Sequence, residues 1–171
     1  STDNKSININ GIVSADEDDT INVSLNDVDL LEIFETLEID KALIGGTASG
    51  EFTGRAILTP TPVLYCEDLH VDNISYNRCV LGDADIVAFW DNDKRAFNLD
   101  ADVVGETGRH SRIRGDIYPE GEGLDIRFDV NHVPVGFMKP FMEAFASDLS
   151  GYASGNARLF GTFKYIDMEG D

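Results

Sequence analysis

The stretch that decides the fold reads LDIRFDV (Leu124–Val130), then FMKPFMEAFA (Phe137–Ala146), then LSGYASG (Leu149–Gly155). The first part alternates apolar and polar residues, the period of a half-buried strand. The second reads as a short helix, and the third as a small-residue turn into another strand. About a hundred residues earlier the chain says the same thing in INVSLND (Ile21–Asp27), LLEIFETLEI (Leu30–Ile39) and IGGTASG (Ile44–Gly50). Gly11 and Gly115 lie 104 apart, Ile21 and Leu124 103, Phe34 and Phe137 103, and Gly50 and Gly155 105. Four anchors so near one offset mark a long repeat of several strands and one helix. The expected organisation is a single β-rich segment of a larger repeat protein, with one copy over about 7–110 and an incomplete second over about 111–171. Repeat proteins complete each core by stacking neighbours.

The repeat predicts alternating rows that share a property. Ile21, Val23 and Leu25 are apolar at period two. So are Ala84, Ile86, Ala88 and Trp90; Phe97, Leu99, Ala101 and Val103; and Leu124, Ile126, Phe128 and Val130. The positions between are polar and often acidic, among them Asn22, Ser24, Asp100, Asp102, Asp125, Arg127 and Asp129. That is a sheet with one apolar and one wetted face. Two helices of about ten residues, Leu30–Ile39 and Phe137–Ala146, are too small to cover it. The expected fold is therefore mainly β: a long antiparallel meander curved into a one-sided apolar groove, with two short capping helices. Val23, Leu25, Ile86, Ala88, Phe97, Leu99, Ala101, Ile126, Phe128 and Val130 are the expected lining, along a channel open at both ends.

Charge narrows the function classes. The chain has 171 residues, 13 Lys+Arg against 32 Asp+Glu, and a net charge of −19. That excludes the basic footprint of nucleic-acid binding and disfavours an anionic bilayer surface. The longest apolar run, Ile86–Trp90, is far too short to span a bilayer as a helix. The acidic run Asp16–Asp19 reads as a solvated turn, because no calcium-binding loop follows it. Asp91 and Asp93 suit a tight hairpin turn as well as they suit a cation.

Cys66 and Cys79 leave two alternatives. A hairpin turning at Asp72–Asn73 sets the sulfurs opposite each other, within reach of a disulfide. A turn at Asn77–Arg78 separates them as free thiols. No CxxC or Cys/His cluster is present, so no metal or cofactor is expected.

The successions LDIRFDVNHVPVGFMKPFM and LSGYASGNARLFGTFKYIDMEG, with ISYNRCVLGDADIVAFWDNDKRAFNLDADV before them, resemble the TamB branch of the AsmA-like family. The likeness covers most of Thr20–Gly170, weakest at Thr59–Val71, and rests on structural motifs rather than a catalytic signature. It implies an inner-membrane-anchored protein of a diderm bacterium that projects an apolar β-groove across the periplasm. It further implies phospholipid acyl chains as ligands and movement of phospholipid between inner and outer membranes. Outer-membrane protein assembly with an Omp85-type barrel partner belongs to the same resemblance.

Two other readings compete. A β-sandwich binding or adhesion module, with carbohydrate as one candidate ligand, would bury the apolar rows under facing strands, with Trp90 and Tyr118 available to stack on sugars. An enzyme is not expected: His70, His110 and His132 are scattered, no Gly-x-Ser-x-Gly elbow occurs, and the carboxylates are too many to single out a pair.

Overall fold

The computed structural model describes residues 5–36, 44–138 and 150–170. The strands are β1 (Ser6–Gly11), β2 (Thr20–Asp29), β3 (Ile44–Arg55), β4 (Val63–Tyr76), β5 (Cys79–Asp91), β6 (Ala96–Val104), β7 (His110–Tyr118), β8 (Gly123–Pro134), β9 (Tyr152–Thr162) and β10 (Tyr165–Gly170). They form one ten-stranded antiparallel sheet in which each pairs only with its chain neighbours. The described residues form this one sheet and do not make a sandwich.

Register shows why the alternation matters. One row of partners crosses the whole sheet: Ile9, Val23, Phe52, Cys66, Ala88, Leu99, Gly115, Ile126, Leu159 and Met168. Every member is apolar or glycine. The row one residue away carries Asp100, Arg114, Arg127, Arg158 and Glu169. A one-residue slip on any strand would exchange these faces, so the pattern fixes the register.

Helix α1 (Leu30–Thr36) is one of the two expected helices. The Leu31 amide donates to Asp29 Oδ1 at 3.0 Å, so Asp29 is its N-cap. The helix packs on β3. Residues 37–39 of the expected Leu30–Ile39 lie outside the described residues. Of the expected Phe137–Ala146 helix, Phe137 and Met138 end a 3₁₀ turn, Val135–Met138, and the remainder also lies outside.

Two expectations need correction. The Ala-Ser-Gly motifs are not turns but lie inside β3 and β9. Small residues are needed there for a different reason. Ala48 is fully buried, and a Cβ on Gly46 would lie 2.7 Å from Val71 Cγ1. Nor is there a disulfide: both cysteines are free. The β4–β5 hairpin turns at Asn77–Arg78, whose φ values of 47° and 66° suit a type I′ turn. Cys66 therefore faces Ala88, and Cys79 faces Tyr76, a long way along the ladder.

The two halves share local geometry at an offset of 105 rather than 103. Leu25 pairs with Gly50 and Val28 with Ala48; Val130 pairs with Gly155 and Val133 with Ala153. Each half has a bulge between those pairs. Asp27 (φ 48°) and His132 (φ 59°) occupy it in the left-handed region. The Asp27 amide donates to Ser49 Oγ at 3.0 Å and the His132 amide to Ser154 Oγ at 2.8 Å. Gly46 and Gly151, also 105 apart, both have positive φ, 127° and 110°. A Cβ on Gly11 would meet Thr20 O at 2.1 Å, and one on Gly115 would meet Asp125 O at 2.1 Å. Ile21 thus matches Ile126, not Leu124, because the second bulge begins two residues later in the motif.

With no second sheet among the described residues, the sheet buries part of its apolar face by curling. β5 touches β8 and the 3₁₀ turn, although β6 and β7 lie between them in the ladder. At this end Ala84, Val103, Leu81 and Val133 are buried, together with Ala48 and Val71.

Gly115→Ala is expected to destabilise the fold more than Gly11→Ala. Both insert a methyl into a neighbouring carbonyl, but β7 is held on two sides, whereas β1 is an outer strand of the described sheet and can withdraw. Thermal melting of the two variants checks this, and equal losses would contradict it.

Candidate functional site

The candidate site is the apolar face, which the curl divides into a closed end and an open one. All ten residues expected to line the groove lie on this face. Ala101 and Ile126 are buried within the sheet's own packing, at 2% and 7% exposure. Val23, Leu25, Ile86, Ala88, Phe97, Leu99, Phe128 and Val130 are half-buried.

They do not line one continuous channel. Phe128 and Val130 belong to the closed end, where with Leu81, Val103, Ile113 and Val133 they enclose only about 10 Å³. That is at most the room of one water molecule, so this end is closely packed. Contact between β5 and β8 draws the sheet together at the end near the β6–β7 turn. Ala88, Trp90, Phe97, Leu99, Ile117 and Leu124 carry the face on towards the opposite end, each partly exposed.

Trp90 sits at that rim. Its ring meets Phe97 edge-on, with centroids 5.0 Å apart, and the Arg95 guanidinium lies 5.7 Å from its centre. Its Nε1 donates to Asn92 Oδ1 at 3.1 Å. Cys66, fully buried on the same face, has its thiol pKa pushed up by burial.

The opposite face carries the ion pairs, with Val87 and Phe89 exposed beside them on β5. Arg112 makes two bonds to Asp100, at 2.8 and 2.6 Å, and Arg158 two to Asp125, at 2.7 and 2.8 Å. These guanidiniums hold both carboxyls below the usual carboxylate range. Lys94 pairs with Asp116 at 2.9 Å. His70 Nδ1 lies 2.7 Å from Asp85 and its Nε2 3.4 Å from Asp72. His110 binds Asp102 at 2.7 Å, and His132 stacks on Tyr152 with centroids 4.2 Å apart. The histidines are thus dispersed. No group of three metal-ligating side chains converges among the described residues, the Asp91/Asp93 pair included. The Asp91 carboxylate instead accepts from the amides of Asp93 and Lys94, so it serves the hairpin turn.

Sequence reading missed one feature of this face, the convergence of arginines from β7, β8 and β9. The signal was present: Arg112, Arg114, Arg127 and Arg158 have the parity of the polar positions, and strand order alone brings them side by side.

The hydrogen bond to Asp85 raises the His70 pKa above its ordinary 6.5. The ion pair's contribution is full below 6.5 and is lost as pH rises through the higher folded-state value. Both partners are largely exposed, so the effect on stability is small. Nuclear magnetic resonance titration should find His70 titrating above 6.5, and Asp85→Asn should bring it down. A midpoint unchanged by Asp85→Asn would contradict the contact.

Against models of known protein families, curated proteins and solved structures, the chain finds no match.

Proposed function

We propose that this chain is a segment of a TamB-like envelope protein whose apolar β-face holds phospholipid acyl chains as they move between inner and outer membranes. The observation that carries the reading is the apolar row across ten strands with no second sheet over it among the described residues. The accessible surface of the chain is 10409 Å². A compact monomer of this mass would expose roughly 8300 Å². An apolar face left half-buried at its open end suits a binding surface, and a flexible hydrocarbon chain suits one that is long and has no fixed polar contacts. The acidic opposite face keeps such a segment soluble in an aqueous compartment.

The same reading places the segment in the periplasm, as part of an inner-membrane-anchored chain. It gives the parent protein an Omp85-type barrel as partner and a role in outer-membrane protein assembly. It requires no catalytic group and no cofactor. The adhesion reading loses its architecture with the absence of a second sheet, and Trp90 is engaged by Phe97, Arg95 and Asn92.

Leu99→Arg and Phe128→Arg separate the two ends of the face. Leu99 lies opposite Ala88 and Gly115, and an arginine there can extend along the open end into water. The loss is the apolar contact, about 1.5–3 kcal/mol, so the variant should fold yet take up less lipid. Phe128 packs against the buried cluster. A charge there lacks a partner and should cost about 3–5 kcal/mol, enough to unfold a marginal domain. Arg127→Ala, on the opposite face, should leave lipid uptake unchanged. Thermal melting with a fluorescent-phospholipid binding assay reads all three, and native mass spectrometry of the purified chain should show co-purifying phospholipid. Lipid binding equal in wild type and a folded Leu99→Arg would sink the proposal.

A further inference from the structure

Arg114, Arg127 and Arg158 stand directly opposite one another on β7, β8 and β9. Like charges placed so are destabilising. The arrangement is unexpected in a chain with 13 basic and 32 acidic residues, where most cations could each face a carboxylate. Two of the local cations do: Arg158 is held by Asp125 and Glu169, and Arg112 by Asp100. Arg114 and Arg127 make no side-chain ion pair or hydrogen bond to any described residue.

All four arginines line one open concavity of about 650 Å³. The carboxylates in that lining are Asp129 and Glu169, and Asp100 and Asp125 hold Arg112 and Arg158 at its border, so four arginines and four carboxylates balance in a chain whose net charge is −19. Glu169 is already committed to Arg158 at 3.0 Å. Arg114 and Arg127 act on Asp100 and Asp125 only through space, without a bond to either, so their donor forks are open to a ligand.

We propose that this concavity binds a phosphate group, with Arg114 and Arg127 as its direct ligands. A guanidinium offers a planar fork of donors that matches phosphate oxygens. Two adjacent forks match the two charges of a phosphate dianion, whereas a single carboxylate would neutralise only one. Arg112 and Arg158, held by their own carboxylates, border the site and fix its width. The site faces away from the apolar surface, so it does not depend on the acyl-chain reading. The phosphate can belong to a soluble molecule or to a lipid headgroup.

The test is calorimetric titration of the full chain with inorganic phosphate at pH 8, against sodium chloride at equal ionic strength. Saturable binding of phosphate but not chloride is expected. Arg114→Gln and Arg127→Gln should each weaken it roughly ten- to a hundredfold, as for loss of a hydrogen bond between charged groups. Arg127→Lys, which keeps the charge but not the fork, should fall between. Arg55→Gln removes the same charge from β3 and should bind as wild type. In chloride both Gln variants should melt at or above wild type, because a like-charge repulsion is relieved, so a loss of binding is not a loss of fold. Vesicles containing phosphatidate separate the sources. Co-flotation that is lost in the same variants assigns a lipid headgroup, and phosphate binding without flotation assigns a soluble phosphate. Equal response to phosphate and chloride, or unchanged affinity in both Gln variants, overturns the proposal.

Discussion

Much of this fold follows from one shortage: a sheet with an apolar face and, among the described residues, no second sheet laid over it. Two packed layers are the usual way to bury such a face. Here the ladder bends instead, until β5 reaches β8 across the β6–β7 turn. Residues near that contact, such as Ala84 and Val103, are as buried as any core. Residues on the same strands a few positions away, such as Ala88 and Leu99, are not. Burial is therefore graded along the strands rather than across layers, and the gradient separates a structural end from one free to hold a ligand.

The polar face is arranged on a different logic. Strand order sets acidic and basic residues opposite each other, as Asp100 with Arg114 and Arg158 with Glu169, while other close ion pairs run diagonally, as Arg112 with Asp100. Largely exposed pairs of this kind add little stability individually. Their larger effect is on register, since a slipped strand would lose the pairs and expose its apolar set at once. Asp100 and Asp125 are held ionised by their arginines, so this support is present above ordinary carboxylate pKa values and fades as pH falls through their lowered ones.

Much of this was legible beforehand. Alternation in Leu124–Val130 and Phe97–Val103 fixed both strand type and face, because a period of two has no other physical reading in a sheet. The helix at Leu30 was legible as the short helical segment after an alternating strand, and the structure assigns its cap to Asp29. The hairpin between Cys66 and Cys79 was not. Asp72–Asn73 and Asn77–Arg78 are both acceptable turns, and the choice depended on how β4 pairs with β3, a non-local fact. The Ala-Ser-Gly motif was misleading, since small residues serve turns and crowded strand interiors alike. The closed end was invisible for the same reason: contact between β5 and β8 leaves no mark in either strand's own pattern.

The meander also bears on how the chain reaches its structure. Every strand of the described sheet pairs with the strand before or after it. Ladder formation therefore needs no long loop closure; it can start at any one hairpin and grow strand by strand in either direction. Such growth is fast, but each intermediate presents a bare edge and an apolar face that is not yet curled. Only when β8 is in place can it meet β5 and shut the packed end. Before that moment the partly formed sheet is at its most adhesive, and the acidic face opposite is the one safeguard it already has.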